Sequence, residues 1–168
     1  MVISSYIKAF LFLTLASLVG LIYVTQENNR FFNNPLSSEI ISKIEEKTKE
    51  LETITYQKFG FKVSIPVYIS DTISNNLFGF ATINKAGEIS ITLNKNRFKE
   101  NETYMIEDVL PHEYAHALMF VVGDFSKENG GHTVKWEKIC TEIGGKKCER
   151  FVQDDDILIE KLGFTPKN

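Results

Sequence analysis

Residues 110–139 read LPHEYAHALMFVVGDFSKENGGHTVKWEKI, and the spacing of the histidines in this stretch decides how the rest of the chain is interpreted. His112 and His116 are four positions apart in an apolar segment that is typical of a buried helix. A helix there places both imidazoles on one face, one turn apart, where they can bind a single zinc ion. Glu113 lies beside them in the position of a general base. Pro111 removes one backbone donor, which predicts a kink just before this face.

The third histidine of the chain, His132, follows a Gly-Gly pair. Zinc at a catalytic site takes three protein ligands and keeps one position open, so His132 is the candidate third ligand. The alternative is an exposed loop histidine. Asp108 either orients the His112 imidazole from behind or is a first-turn acidic residue stabilised by the helix dipole. An amphipathic helix follows, with apolar residues at helical spacing: Trp136, Ile139, Cys140 and Ile143.

The segments before the motif predict an α+β fold. A helix capped by Ser37 or Ser38 and ended at Gly60 has a buried stripe. Period-two alternation over residues 62–69 predicts a strand that Pro66 restricts to an edge or a bulge. Two further strands flank a four-residue hairpin loop at residues 84–87, so we expect about three antiparallel strands. The stripe of the first helix consists of Ile40, Ile44, Thr48 and Leu51, and the inward face of the last strand consists of Ile89, Ile91 and Leu93.

The N-terminus predicts a membrane segment. Residues 9–24 are uncharged, and residues 1–25 carry a single charged side chain, Lys8. A stretch of that length crosses a bilayer core of about 30 Å with some tilt. A cleaved signal peptide is the alternative, but small residues are poorly placed for cleavage near the end of the apolar run. We expect a single-pass anchor, with export of the following domain slightly favoured over a cytoplasmic location.

Charge argues against nucleic acid as a partner. The net charge is −3, residues 1–35 contribute +1, and the remainder therefore carries −4 without an evident basic patch. An acidic body of this kind does not attract a phosphate backbone. Residues 154–156 are a run of aspartates, which we interpret as a solvated surface and not a cation site.

The stretches PHEYAHALMF and GGHTVKWEKICTEIGG, with the upstream ISITLNKNRFKENETYMIEDVLPHE, resemble the SprT-like metalloproteases, which include Spartan and the bacterial SprT proteins. The resemblance covers roughly residues 38–156. It implies one bound zinc ion held by His112, His116 and His132, with Glu113 catalytic. It also implies a gluzincin-like core in which the helix after the HExxH helix carries the third ligand.

The chain departs from the family pattern in three respects. Thr133 stands where the family usually has Gly after the third histidine, and it can cap the following helix. The two cysteines, Cys140 and Cys148, are too few for the paired CxxC ribbon of many bacterial members. They form a disulfide if the domain is exported and remain thiols if it is cytosolic. The N-terminal anchor is not typical, so a role on DNA is not transferred.

These observations predict a membrane-tethered zinc metalloendopeptidase acting on a protein or peptide substrate. An extended substrate is expected to pair with the edge of the strand at residues 88–93. The alternatives are a zinc-binding interaction module without proteolytic activity and an amidase acting on non-peptide substrates. Sequence does not indicate the oligomeric state. The expected organisation is an anchor at residues 1–25, a juxtamembrane linker at 26–36, a SprT-like metalloprotease domain at 37–160 and a C-terminal tail at 161–168.

The anchor hypothesis predicts that residues 1–25 remain on the mature protein. Mass spectrometry of the membrane-extracted protein should therefore detect an N-terminus at or next to Met1. A mature N-terminus near residue 21 or 27 would show instead that the segment is a cleaved signal peptide.

Overall fold

The structure is a computed structural model that describes residues 4–74 and 76–148. The chain divides between Leu36 and Ser37 into an N-terminal unit and a globular unit, each compact by its internal contacts. The predicted tail at 161–168 and the aspartate run at 154–156 lie outside the described residues, as does the end predicted for the globular domain.

The N-terminal unit contains one long helix, α1 (Ser5–Asn33). This helix of 29 residues is long and apolar enough to cross a membrane, and none of its residues is buried. The segment at residues 26–33, predicted as linker, continues the helix because no breaker precedes Pro35. Asn34 is the first extended residue (φ −109°, ψ 155°), as expected directly before a proline.

The globular unit begins with α2 (Ser38–Phe59), whose ends match the sequence prediction. The Ser37 hydroxyl accepts a hydrogen bond from the Ile40 amide (3.3 Å), and Gly60 ends the helix in the left-handed conformation (φ 77°). Two residues of the predicted buried stripe, Ile44 and Leu51, are confirmed as buried. Helix α2 also contacts the helical segments that carry the site.

Three strands form one sheet in the order β1-β3-β2. Their bounds are β1 (Val67–Ser70), β2 (Gly79–Ile83) and β3 (Ile89–Asn94). The expectation of an all-antiparallel arrangement is wrong, because β1 runs parallel to β3 and only β2 is antiparallel to it. The α+β class is confirmed.

The sheet order follows from burial and from Pro66. The β3 residues Ile91 and Leu93 are fully buried, so the most apolar strand takes the central position. Pro66 has no amide to donate, and the predicted strand over residues 62–69 is therefore shortened to begin at Val67. The Pro66 carbonyl still accepts from the Ile91 amide (3.0 Å), and in the strand order β1 lies at an edge, as expected.

The remaining elements follow β3 in a helical series that packs against the sheet. The HExxH helix contacts β2 and β3, and the last helix packs against it in turn. The series consists of α3 (Lys95–Phe98), α4 (Glu102–Tyr104), a π-helical turn (Met105–Val109), α5 (Leu110–Val121), a 3₁₀ turn (Glu128–Gly131) and α6 (Val134–Glu142).

Candidate metal centre

Helix α5 carries the HExxH motif, and the turn before it explains how Pro111 is accommodated. A proline inside an α-helix lacks the amide that would bond the carbonyl four residues back, and its ring collides with that carbonyl. The preceding turn, Met105–Val109, is π-helical, with the Leu110 amide donating to the Met105 carbonyl. The kink predicted from Pro111 therefore takes the form of a widened turn directly before the metal face. Such turns are frequent at functional sites.

His132 reaches the site from the loop that follows α5. Gly131 adopts a positive φ of 91°, a backbone conformation that favours glycine, and a Cβ on it would contact the His116 ring at 3.4 Å. The Thr133 hydroxyl accepts a hydrogen bond from the Trp136 amide (3.2 Å) and caps α6. His132 therefore lies just before α6 and not within it, which corrects the expectation that the helix carries this residue.

The three histidine rings converge on one point. The Nε2 atom of His132 lies 3.1 Å from Nε2 of His112 and 3.2 Å from Nε2 of His116. All three candidate ligand atoms lie within 4.8 Å of one another. Tetrahedral zinc with nitrogens at about 2.0–2.1 Å separates its ligand atoms by roughly 3.3 Å, so the donor set fits the ion. Among the described residues, these three form a group able to hold a metal.

The electrostatics favour neutral imidazoles, which is the form that binds metals. Burial lowers the pKa of His112 to about 4, helped by the neighbouring His132, while a hydrogen bond to the Lys147 backbone acts in the opposite direction. Burial also lowers the pKa of His116 to about 3, with contributions from His112 and His132. Removing the His112 and His116 imidazoles from water therefore suppresses their cationic forms.

Glu113 is buried between α5 and β2. Burial raises the pKa of Glu113 to about 8, opposed by a hydrogen bond that its carboxylate accepts from the Ala81 backbone. A cation held by the adjacent histidines would also oppose the rise in the pKa of Glu113. Gly79 permits this approach, because a Cβ there would lie 3.3 Å from the Glu113 Cγ atom and 3.0 Å from the Thr92 carbonyl.

Trp136 forms one wall of the centre, a role that the sequence analysis missed. It is 1% exposed, and its ring centroid lies 4.7 Å from that of His112, 4.9 Å from His116 and 4.5 Å from His132. Helical periodicity identified it only as a core residue. The signal that could have indicated more was its position four residues after His132, one turn into the capped helix.

Asp108 lies in the π-helical turn and is 4% exposed. It lines the same cavity as His112 and lies in the first turn of the π-helical segment. Its predicted role in orienting the His112 imidazole stays a prediction.

Two cavities flank the centre and meet at Glu113 and His116. One, of about 650 Å³, follows residues 80–83 of β2 and continues to the loop after α5. The other, of about 410 Å³, follows residues 76–79 and includes His112, His132 and Lys147. Together they form a cleft along β2. The expectation that the strand at 88–93 offers the free edge is wrong, because β3 is paired on both sides.

The position of Trp136, the chain's single tryptophan, predicts an optical signal for metal binding. Stoichiometric Co²⁺ should quench its fluorescence, because the indole lies within 4.9 Å of every histidine ring. Mg²⁺, which prefers oxygen ligands, serves as the control and should leave the emission unchanged. Emission that is insensitive to Co²⁺ would contradict a metal centre at these histidines.

Comparison with known proteins agrees with this geometry. The model of the SprT-like family matches residues 44–155, which is two thirds of the chain and includes all three histidines. No curated protein matches the chain significantly. No solved structure does so either. On the family match, together with the resemblance of its motifs, the chain belongs to the SprT-like family.

Proposed function

We propose that this protein is a membrane-tethered zinc metallopeptidase. His112, His116 and His132 would hold one zinc ion, and Glu113 would act as general base. The observation that carries the proposal is the convergence of three imidazole Nε2 atoms beside a buried carboxylate, in a cleft that runs along a sheet edge.

Each side chain has a distinct part in this chemistry. Zinc, when bound, would supply a Lewis acid that lowers the pKa of a water molecule and polarises the scissile carbonyl. The Glu113 carboxylate would accept the proton of the attacking water and pass it to the leaving amine. The Ala81 backbone, which bonds this carboxylate, keeps it beside the histidines throughout. The buried indole of Trp136, which contacts all three rings, would keep water from its side of them.

The substrate would be an extended polypeptide lying along β2. The Phe78 carbonyl accepts from the Asn94 amide and the Asn84 amide donates to the Glu88 carbonyl, so even-numbered positions of β2 pair with β3. Odd-numbered positions then direct their backbone groups to the cleft, in agreement with the bond from Ala81 to Glu113. Backbone pairing of this kind is insensitive to substrate sequence.

The tether would be α1, crossing the membrane once. Its apolar length supports this placement, and none of its residues is buried. The disulfide between Cys140 and Cys148 supports location of the globular unit on the oxidising side, because such bonds do not persist in the cytosol.

A pair of substitutions separates catalysis from metal binding. Glu113→Gln removes the base and keeps the size of the side chain, so zinc should stay bound while cleavage falls about 10²- to 10⁴-fold. His132→Ala removes one of three protein ligands, so both zinc and activity should be lost. Zinc content by elemental analysis and cleavage of an unfolded protein such as casein measure the two properties.

The contrary outcomes are specific. Retention of zinc by His132→Ala would show that another residue is the third ligand. Full activity of the Glu113→Gln variant would show that Glu113 is not the general base. A parent protein that binds zinc but cleaves no peptide or protein would favour the interaction module, and cleavage restricted to non-peptide amides would favour the amidase.

A further inference from the structure

The segment after α6 returns to the metal centre, where it makes a contact that the proposed mechanism does not use. Lys147 lines the cavity that holds His112 and His132. The Lys147 backbone accepts a hydrogen bond from the His112 ring. Since Nε2 of that ring faces His132 at 3.1 Å, the hydrogen bond to the Lys147 backbone is donated by the other ring nitrogen, Nδ1.

The next residue, Cys148, is covalently bound to Cys140 of α6. The chain between them makes a tight reversal that begins at Gly144, where φ is 90°. The Gly145 amide donates to the Cys140 carbonyl (2.8 Å). A Cβ on Gly145 would lie 2.6 Å from the Cys140 sulfur and 3.0 Å from the Cys148 sulfur, so the disulfide packs directly on the reversal.

The disulfide at Cys148 and the hydrogen bond at Lys147 therefore involve neighbouring residues of the chain. Cys140 is fully buried in the helix whose N-terminus is capped beside His132. The covalent bond fixes Cys148 to that helix, and the adjacent carbonyl of Lys147 is held at His112. A histidine ligand that donates its second ring nitrogen to a fixed carbonyl has its tautomer and orientation set for metal binding.

We propose that the Cys140–Cys148 disulfide is a positioning device for the metal centre, holding the Lys147 carbonyl against Nδ1 of His112 and so raising zinc affinity. This inference rests on the proposed zinc site. It adds that the site reaches full affinity only while the disulfide is intact. Reduction would release the segment and leave the His112 ring free to rotate.

The first test compares zinc affinity in the full-length parent and in the Cys140→Ser/Cys148→Ser double variant. Serine cannot bridge and does not offer the thiolates that would themselves bind zinc. Losing an outer partner of a ligating histidine typically lowers metal affinity about 10- to 100-fold, and we expect a loss in that range. Competition with a chelator of known affinity, followed by Trp136 fluorescence, measures it.

A matched control separates positioning from general destabilisation. Leu51→Ala creates a void beside α2, away from the cavities, and should lower the melting temperature while leaving zinc affinity unchanged as long as the protein is folded.

A spectroscopic readout is available because the chain has three histidines. Nitrogen-15 labelling of histidine should show a slowly exchanging Nδ1 proton on His112 in the parent and its loss in the double variant.

A second measurement uses the parent alone and does not depend on the variant folding. A water-soluble phosphine reduces the disulfide by attacking the sulfur of Cys148, which is half-buried, once the segment opens locally. The S–S bond breaks, two thiols form, and the phosphine takes oxygen from water to become its oxide. Zinc that binds more tightly while the segment is in place makes local opening of the segment rarer, so bound zinc should slow this reduction.

Equal zinc affinity in parent and double variant, with reduction rates that zinc does not change, would overturn the positioning role and leave the metal site intact. Failure of the oxidised parent to bind zinc would overturn the proposed metal centre itself.

Discussion

Three imidazole nitrogens that converge on one point, with Nε2 of His132 at 3.1 and 3.2 Å from the other two, are an unfavourable arrangement unless something positive lies between them. Neutral rings facing each other through Nε2 cannot share enough protons to satisfy every pair, and burial suppresses the cationic forms that would supply more. A cation bound between the rings would resolve this conflict. Much of the local structure around the site is explained by the requirement to hold these rings together.

Local structure in three separate parts of the fold holds the rings and the carboxylate in place. The π-helical turn before α5 accommodates Pro111 and leaves the histidine face undistorted. The cap by Thr133 and the positive φ of Gly131 bring the third ring in from a loop. The absence of a side chain at Gly79 lets β2 lie against Glu113, so one edge strand both orients the proposed base and borders the proposed substrate cleft.

Local patterns in the sequence predicted the features that depend on local physics. The spacing of the histidines, the cap at Ser37 and the glycine stop of α2 each concern residues within one helical turn or one loop. The direction of β1, the free edge on β2 and the wall formed by Trp136 depend on which strand or helix becomes central. Alternation and helical period carry no information on that choice, because burial of β3 against α5 is decided across the whole unit. The contact of Lys147 with His112 was unpredictable for the same reason.

The central claim is that His112, His116 and His132 together bind one zinc ion and leave a position open. X-ray absorption at the zinc edge of the purified full-length protein tests it most directly. The account predicts one zinc per chain with three imidazole nitrogens and one light oxygen ligand at about 2.0–2.1 Å. A sulfur shell at about 2.3 Å, or a first shell with fewer than three imidazoles, would contradict it.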